Sequence, residues 1–422
     1  MRLSLFAMMT TSALTAASLA GPTFAATPEE VAQTYVDIAA AGYGDSLATA
    51  KDLQVAVAAL IAAPSDETLN VAKAAWLAAR VPYQQTEAFR FGNPVVDDWE
   101  GKVNAWPLDE GLIDYVDASY GQSEENPLST LNIIATPEFK LSGADVDASA
   151  LTPEFISQTL HEVDGIEANV ASGYHAIEFL LWGQDLNGTG SGAGARPASD
   201  YASGDACTNG NCDRRAAYLQ AATDLLVSDL EYMAAEWESG SARGTILADP
   251  KAALSAMLTG MGSLSYGELA GERMRLGVML NDPEEEHDCF SDNTHNSHYY
   301  DGLGIRNVYT GSYTRVDGSV VSGPSLSDLV AKNDAAVDTQ LRAELGASVA
   351  ALAAVKAAAE AGMAYDQMLA AGNAEGEALI IAAVNALVTQ TASINRAVTV
   401  LGASGVAIEG SDSLDNPGAV FQ

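Results

Sequence analysis

Residues 66–92 read DETLNVAKAAWLAARVPYQQTEAFRFG. Ala, Leu, Glu and Gln dominate this stretch, and these residues lose little on entering a helix. Val71, Ala75, Leu77, Ala78 and Val81 recur at mostly three- and four-residue spacing, which predicts an amphipathic helix. Ser65 precedes it as an N-cap, able to satisfy a free backbone N–H. The same composition fills 46–63, and 28–41 behind a second cap, Thr27. Further helices are predicted over 152–182, 214–239, 250–280, 325–371 and 374–401, with Gly346 and Gly362 as breaks or bends. Irregular segments separate them at 93–148, 187–212 and 282–323, and the middle one is rich in Gly and Ser. The β-like residues at 305–309 are too few for a sheet. The expectation is an all-α chain of two four-helix-bundle-like domains, 26–190 and 214–422, joined by a linker loop at 191–213. Residues 76–92 and 264–280 share acidic, Arg and aromatic content, which raises an internal duplication. The repeat partner of 172–182 would then fall near 390–401, a segment with neither His nor a carboxylate.

With 422 residues and 48% hydrophobic content, the chain can build two full cores. Its charge is extreme: 20 Lys and Arg stand against 56 Asp and Glu, a net −36. Such a surface repels phosphate, which excludes nucleic acid as a natural partner and disfavours anionic membranes. Cations are the favoured partners, although acidity also serves solubility alone. Peripheral membrane association through another component stays open. Arg2 is the only charged residue before Glu29, an apolar stretch follows it, and Thr23-Phe24-Ala25 supplies a small-x-small site. This reads as a signal peptide at 1–25, cut near Ala25, placing the product in the periplasm, in the medium or on the outer surface. No later run reaches the roughly 18 uninterrupted apolar residues of a membrane span, and 378–388 reads as a buried helix. Export permits disulfides, and Cys207 and Cys212 can close a small ring, leaving Cys289 over.

The residues able to carry chemistry centre on Gly173-Tyr174-His175-Ala176-Ile177-Glu178. His175 and Glu178 share one helical face at i and i+3, so an imidazole and a carboxylate can hold one cation. The plainer alternative is that His175 simply hydrogen-bonds Glu178. Gly173 leaves room for a neighbouring helix or ligand. Arg80, Tyr83 and Glu87 form a second stripe, in which Arg and Tyr could orient a carboxylate and Pro82 would bend the helix. Asp109 ends Trp106-Pro107-Leu108-Asp109 and could add an oxygen ligand.

Together with Glu268-Leu-Ala-Gly-Glu272-Arg273-Met274 and the run from Glu284 to His295, these motifs resemble the imelysin family, nearest its iron-regulated protein A group. The resemblance spans nearly the whole mature chain. It implies an exported helical protein linked to bacterial iron acquisition, with an iron-uptake transporter or outer-membrane component as partner. It also implies a metal site of His175, Glu178, Glu87 and Asp109. Two positions depart from the family pattern: Tyr83 stands where Trp is frequent, and Asp288 where Ser is usual. Neither is expected to touch the proposed ligands.

The family is also classed with metallopeptidases, which makes zinc-dependent hydrolysis the alternative, with Glu87 or Glu178 as base. Helical zinc peptidases place a second His one turn after the first. Here that position is Phe179. One His with three carboxylates suits iron best, with zinc or calcium as alternatives, and favours binding over catalysis. A third reading is a surface protein that binds a peptide or organic ligand without metal. His287, His295 and His298 could form a second site, while His161 reads as an ordinary side chain. Glu268 and Glu272 beside Arg273 and Arg275 read as structural pairs.

Overall fold

The computed structural model describes residues 26–123 and 126–421. The signal segment 1–25 lies outside the described residues. The chain is all-α, and its described strands form two small antiparallel hairpins, Glu138–Leu141 with Ala144–Asp147 and Ser312–Thr314 with Val320–Ser322.

Four helices close a first group: Pro28–Ala62, Asp66–Gln84, Gly173–Trp182 and Cys212–Glu238, each packed on the next and the last back on the first. Four more close a second: Leu264–Arg275, Thr294–Thr310, Ala335–Glu360 and Ala374–Leu401. Cys212–Glu238 was expected in the second half, yet it lies along Pro28–Ala62. Residues 191–213 therefore connect two helices of the same group, and Arg196 and Asp200 within them are buried. One hydrophobic core runs through both groups.

The caps form as expected. Thr27 and Ser65 each accept a hydrogen bond from the backbone three residues on, in reciprocal capping boxes with Glu30 and Thr68. The two segments 28–41 and 46–63 fuse into one helix, and Gly346 lies inside Ala335–Glu360 without breaking it. Gly362, at φ +106°, does end that run. The helix predicted over 152–182 is regular only from Gly173, where φ is +81° and the missing Cβ lets the chain press on the Val103 backbone. The expected irregular region 282–323 contains a 17-residue helix, Thr294–Thr310. Its Gly304 disguised it: a Cβ there would sit 2.5 Å from the Gln85 carbonyl, so glycine permits this close crossing.

Within Asp66–Gln84 the buried face is Leu69, Ala72, Trp76, Ala79, Arg80 and Tyr83, whereas Val71 and Leu77 are exposed. The apolar stripe chosen from sequence was the wrong face, because the true one contains an arginine. Pro82 sits in the last turn, so the bond it cannot donate to the residue four back interrupts only the end of the helix. Ala374–Leu401 is long and apolar enough to cross a membrane by length and composition. It is instead packed against its neighbours, with Ile380, Val384, Leu387 and Ile394 buried.

Candidate metal centre

The seam between the two groups carries the chemistry. Asp66–Gln84 brings Arg80, Gly173–Trp182 brings His175 and Glu178, and the loop before Thr294–Thr310 brings His287, Asp288 and Ser291. The i, i+3 pair is made: His175 Nδ1 lies 3.1 Å from Glu178 Oε2. The other Glu178 oxygen accepts from the Ser291 backbone at 3.0 Å and hydroxyl at 2.6 Å. His175 Nδ1 is also 3.9 Å from Asp288 Oδ1. The rings of His175 and His287 meet edge-on with centroids 4.7 Å apart. His175, His287 and Asp288 each offer a ligand atom, and these three atoms lie within 4.8 Å of one another. His175 Nε2 is buried without a hydrogen-bond partner.

Arg80 closes the cluster. Its Nη2 donates to Asp288 Oδ1 at 2.6 Å and its Nη1 to Asn104 Oδ1 at 2.6 Å. Asn293 donates to Asp288 Oδ2 at 2.8 Å, and the Ser297 hydroxyl donates to the same oxygen. Arg80 and Asp288 are fully buried. Burial alone would raise the Asp288 carboxyl, but Arg80 beside it wins and holds it below the usual range. Burial, then Arg80, pushes His175 well below an ordinary imidazole. Burial, then Arg273, does the same to His287. Two neutral imidazoles and one carboxylate are therefore the resting donor set. Glu178 is pushed up, first by burial and then by Asp288.

The other expected ligands stand elsewhere. Glu87 pairs with Arg273 at 2.9 Å, and the same guanidinium holds Glu268 at 2.7 Å and Asp301 at 3.2 Å. The reading of Glu268 as an ion-pair partner of Arg273 thus holds. Asp109 accepts from Tyr120 at 3.0 Å and from Asn126. Tyr83 does not orient a carboxylate; its ring packs on Tyr174 with centroids 4.9 Å apart. The three histidines of the second site disperse. His287 joins His175, His295 Nε2 lies 3.1 Å from Asn296 Nδ2, and His298 is buried against the Tyr365 ring. His161 Nδ1 accepts from the Ala171 backbone at 3.4 Å, outside the centre. Cys207 and Cys212 are disulfide-bonded and Cys289 is free and buried. Asp288, expected to touch no ligand, is the carboxylate at the middle of the cluster. Its place in an acidic loop over 100 residues from His175 gave no periodic signal.

A cavity of about 520 Å³ reaches His287. Glu100, Glu268, Glu272 and Glu285 line it together with Arg90 and Arg273. Cations are drawn toward such a wall and anions are not.

An all-α chain with a buried two-histidine, one-carboxylate cluster at the seam of two four-helix groups has a donor set of a kind that could hold a metal ion. The imelysin family model matches residues 39–394, so the chain belongs to the imelysin family. Iron-regulated protein A of Synechococcus elongatus is 33% identical over 97 residues, 22% of this chain and 27% of that protein. The match thus spans about a quarter of that relative's length. A crystal structure assigned to an iron-regulated protein A precursor from Parabacteroides distasonis superposes with TM-score 0.64 at 20% identity, covering 89% of this chain and 95% of the other. An imelysin-like protein from Psychrobacter arcticum gives TM-score 0.56 at 16% identity, covering 90% and 98%. These two likenesses establish the shared fold.

Proposed function

We propose that this protein is an exported metal-binding member of the imelysin family, that ferrous iron is its metal, and that it serves bacterial iron acquisition. The observation that carries the proposal is the convergence of His175, His287 and Asp288, with the buried Nε2 of His175 left without a partner. Two neutral imidazoles and one carboxylate form the donor set that suits ferrous iron, with zinc next. Calcium fits poorly, because it takes an all-oxygen shell. Glu178, bonded to His175 Nδ1, would fix which ring nitrogen faces the metal. A binding role is favoured over hydrolysis. Glu178, the nearest candidate base, is fully buried and already holds His175 and Ser291. The targeting segment read at 1–25 supports export, and the name of the Synechococcus relative supports the link to iron. An iron-uptake transporter or outer-membrane component is the partner this role requires.

Calorimetry on metal-stripped protein, titrated anaerobically with ferrous iron and separately with zinc, tests the reading. One ion per chain, lost in both His175→Ala and Asp288→Asn, is expected. Unchanged binding in both variants refutes the site. Turnover of an unfolded protein substrate by the zinc-loaded chain would replace binding with hydrolysis.

A further inference from the structure

Of the three residues that converge at the seam, His175 and Asp288 are enclosed, and neither lines a cavity beside Trp106. His287 does, at the wall of the cavity of about 520 Å³. Its ring presents two different edges. Nδ1 faces inward, 3.5 Å from Arg80 Nη2 and 4.0 Å from Asp288 Oδ1. Ring geometry turns Nε2 away from those groups. This nitrogen has no hydrogen-bond partner among the described residues, and unlike the orphaned Nε2 of His175 it is not enclosed. The residue as a whole is only 4% exposed. A polar side chain buried to that degree, with one nitrogen bare toward a cavity, is placed to meet something that arrives through it.

The wall indicates what arrives. Six glutamates line this cavity against two arginines. Arg90 and Arg273 are already held by Glu100 and Glu268. Glu167, Glu272 and Glu285 have no cationic partner among the described residues, and Glu272 is exposed, outward of the buried imidazole. A neutral imidazole is a common metal ligand, and uncompensated carboxylates ahead of it concentrate cations. A separate cavity of about 530 Å³ shares Trp106 and Pro107 with this one and is also acidic, but none of the three converging residues lines it. Acidity therefore does not distinguish the two cavities, whereas the bare nitrogen does. Resting on the metal-binding reading above, we propose that the cavity at His287 is the entry route of a hydrated divalent cation to the seam. Glu272 and Glu285 gather the ion, and His287 Nε2 is its first protein ligand. Charge along the route then sets how fast an ion arrives, and the ligands at the seam set how long it stays.

Cobalt(II) is the probe, because its visible absorption reports ligation directly. Stopped-flow mixing with the metal-stripped mature chain, in about 0.15 M salt, separates association from dissociation and screens distant surface charge. Glu272→Lys reverses a charge on the route and should slow association about fivefold, with dissociation changed by less than about twofold. Added salt should narrow that gap. Leu186 lines the other cavity and is 66% exposed, so Leu186→Lys adds a cation there without disturbing the core. It should leave both rates unchanged. Equal association in Glu272→Lys and wild type would overturn the route, and so would slowing in Leu186→Lys alone. In both cases one cobalt per chain, lost in His175→Ala, would leave the metal reading standing. A wild type that takes up no cobalt would overturn both.

Discussion

Replacing Arg80 by Met removes the one guanidinium that touches Asp288. The Nη2–Oδ1 distance is 2.6 Å and both side chains are buried, so water cannot take over the lost charge. Removing one member of such a pair typically costs about 3–5 kcal/mol, because the other charge is left uncompensated. Asp288 keeps Asn293 and Ser297 as donors, which places the expected loss near the lower end, about 3 kcal/mol. Asp288→Asn should cost a similar amount by stranding Arg80. The double variant removes both charges, so its loss should fall short of the sum by about 2 kcal/mol. Urea unfolding with chelator present measures all four corners of the cycle. Losses that simply add, within about 0.5 kcal/mol, would refute the claim that these groups stabilise each other.

The same pair makes a prediction about metal. Arg80 supplies the positive charge that Asp288 needs when no ion is bound, so it competes with any ion that Asp288 would ligate. Arg80→Met should therefore bind ferrous iron more tightly, and iron at about 100 times its Kd should restore about 2.7 kcal/mol of stability. Affinity that falls in Arg80→Met as it does in His175→Ala would mean that Arg80 organises the site instead.

Three further outcomes follow from particular residues. Burial pushes the Asp229 carboxyl up to about 6, against a smaller pull from Lys102. A raised acid favours folding below its unfolded pKa and loses that contribution as pH climbs through 6. Asp229→Asn should therefore raise Tm by about 2–4 °C at pH 8 and leave it unchanged near pH 4, a contrast that thermal scans at the two pH values check. Gly304→Ala places a methyl 2.5 Å from the Gln85 carbonyl and should cost about 2 kcal/mol or more in chemical denaturation. Removing both Cys207 and Cys212 opens a ring of sequence separation 5 and should cost about 2 kcal/mol, seen as a lower urea midpoint at constant slope.

Local rules carried the sequence reading as far as local rules reach. Thr27 and Ser65 cap helices because capping is decided within four residues. His175 and Glu178 meet because three residues of helix put them on one face. Glu87 and Asp109 also lie near helix ends, yet Arg273 and Asn126, distant in sequence, decide where their oxygens point. His287 and Asp288 reach His175 only through the docking of one helical group on the other, which no periodicity records. The buried face of Asp66–Gln84 was missed for a related reason. Arg80 belongs to it, and a hydrophobic count excludes arginine even when a buried aspartate waits for it.

That arginine belongs to a pattern that locates the net charge. Arg80, Arg196, Arg215 and Arg273 are all buried, and each holds buried carboxylates: Asp288; Asp114 and Asp200; Asp114; and Glu87 with Asp301. Four of only 20 basic residues are thus spent inside on acids the folded chain hides. Twelve buried acids still outnumber these four arginines, and further acids line the two cavities beside Trp106. Surface charge is screened within about 8 Å at physiological salt, whereas charge lining a cavity with low-dielectric walls keeps its reach. The acidity that composition reports as a bulk property is thus also gathered in the two cavities beside Trp106, one of which reaches His287 at the seam that Arg80 and Arg273 tie together.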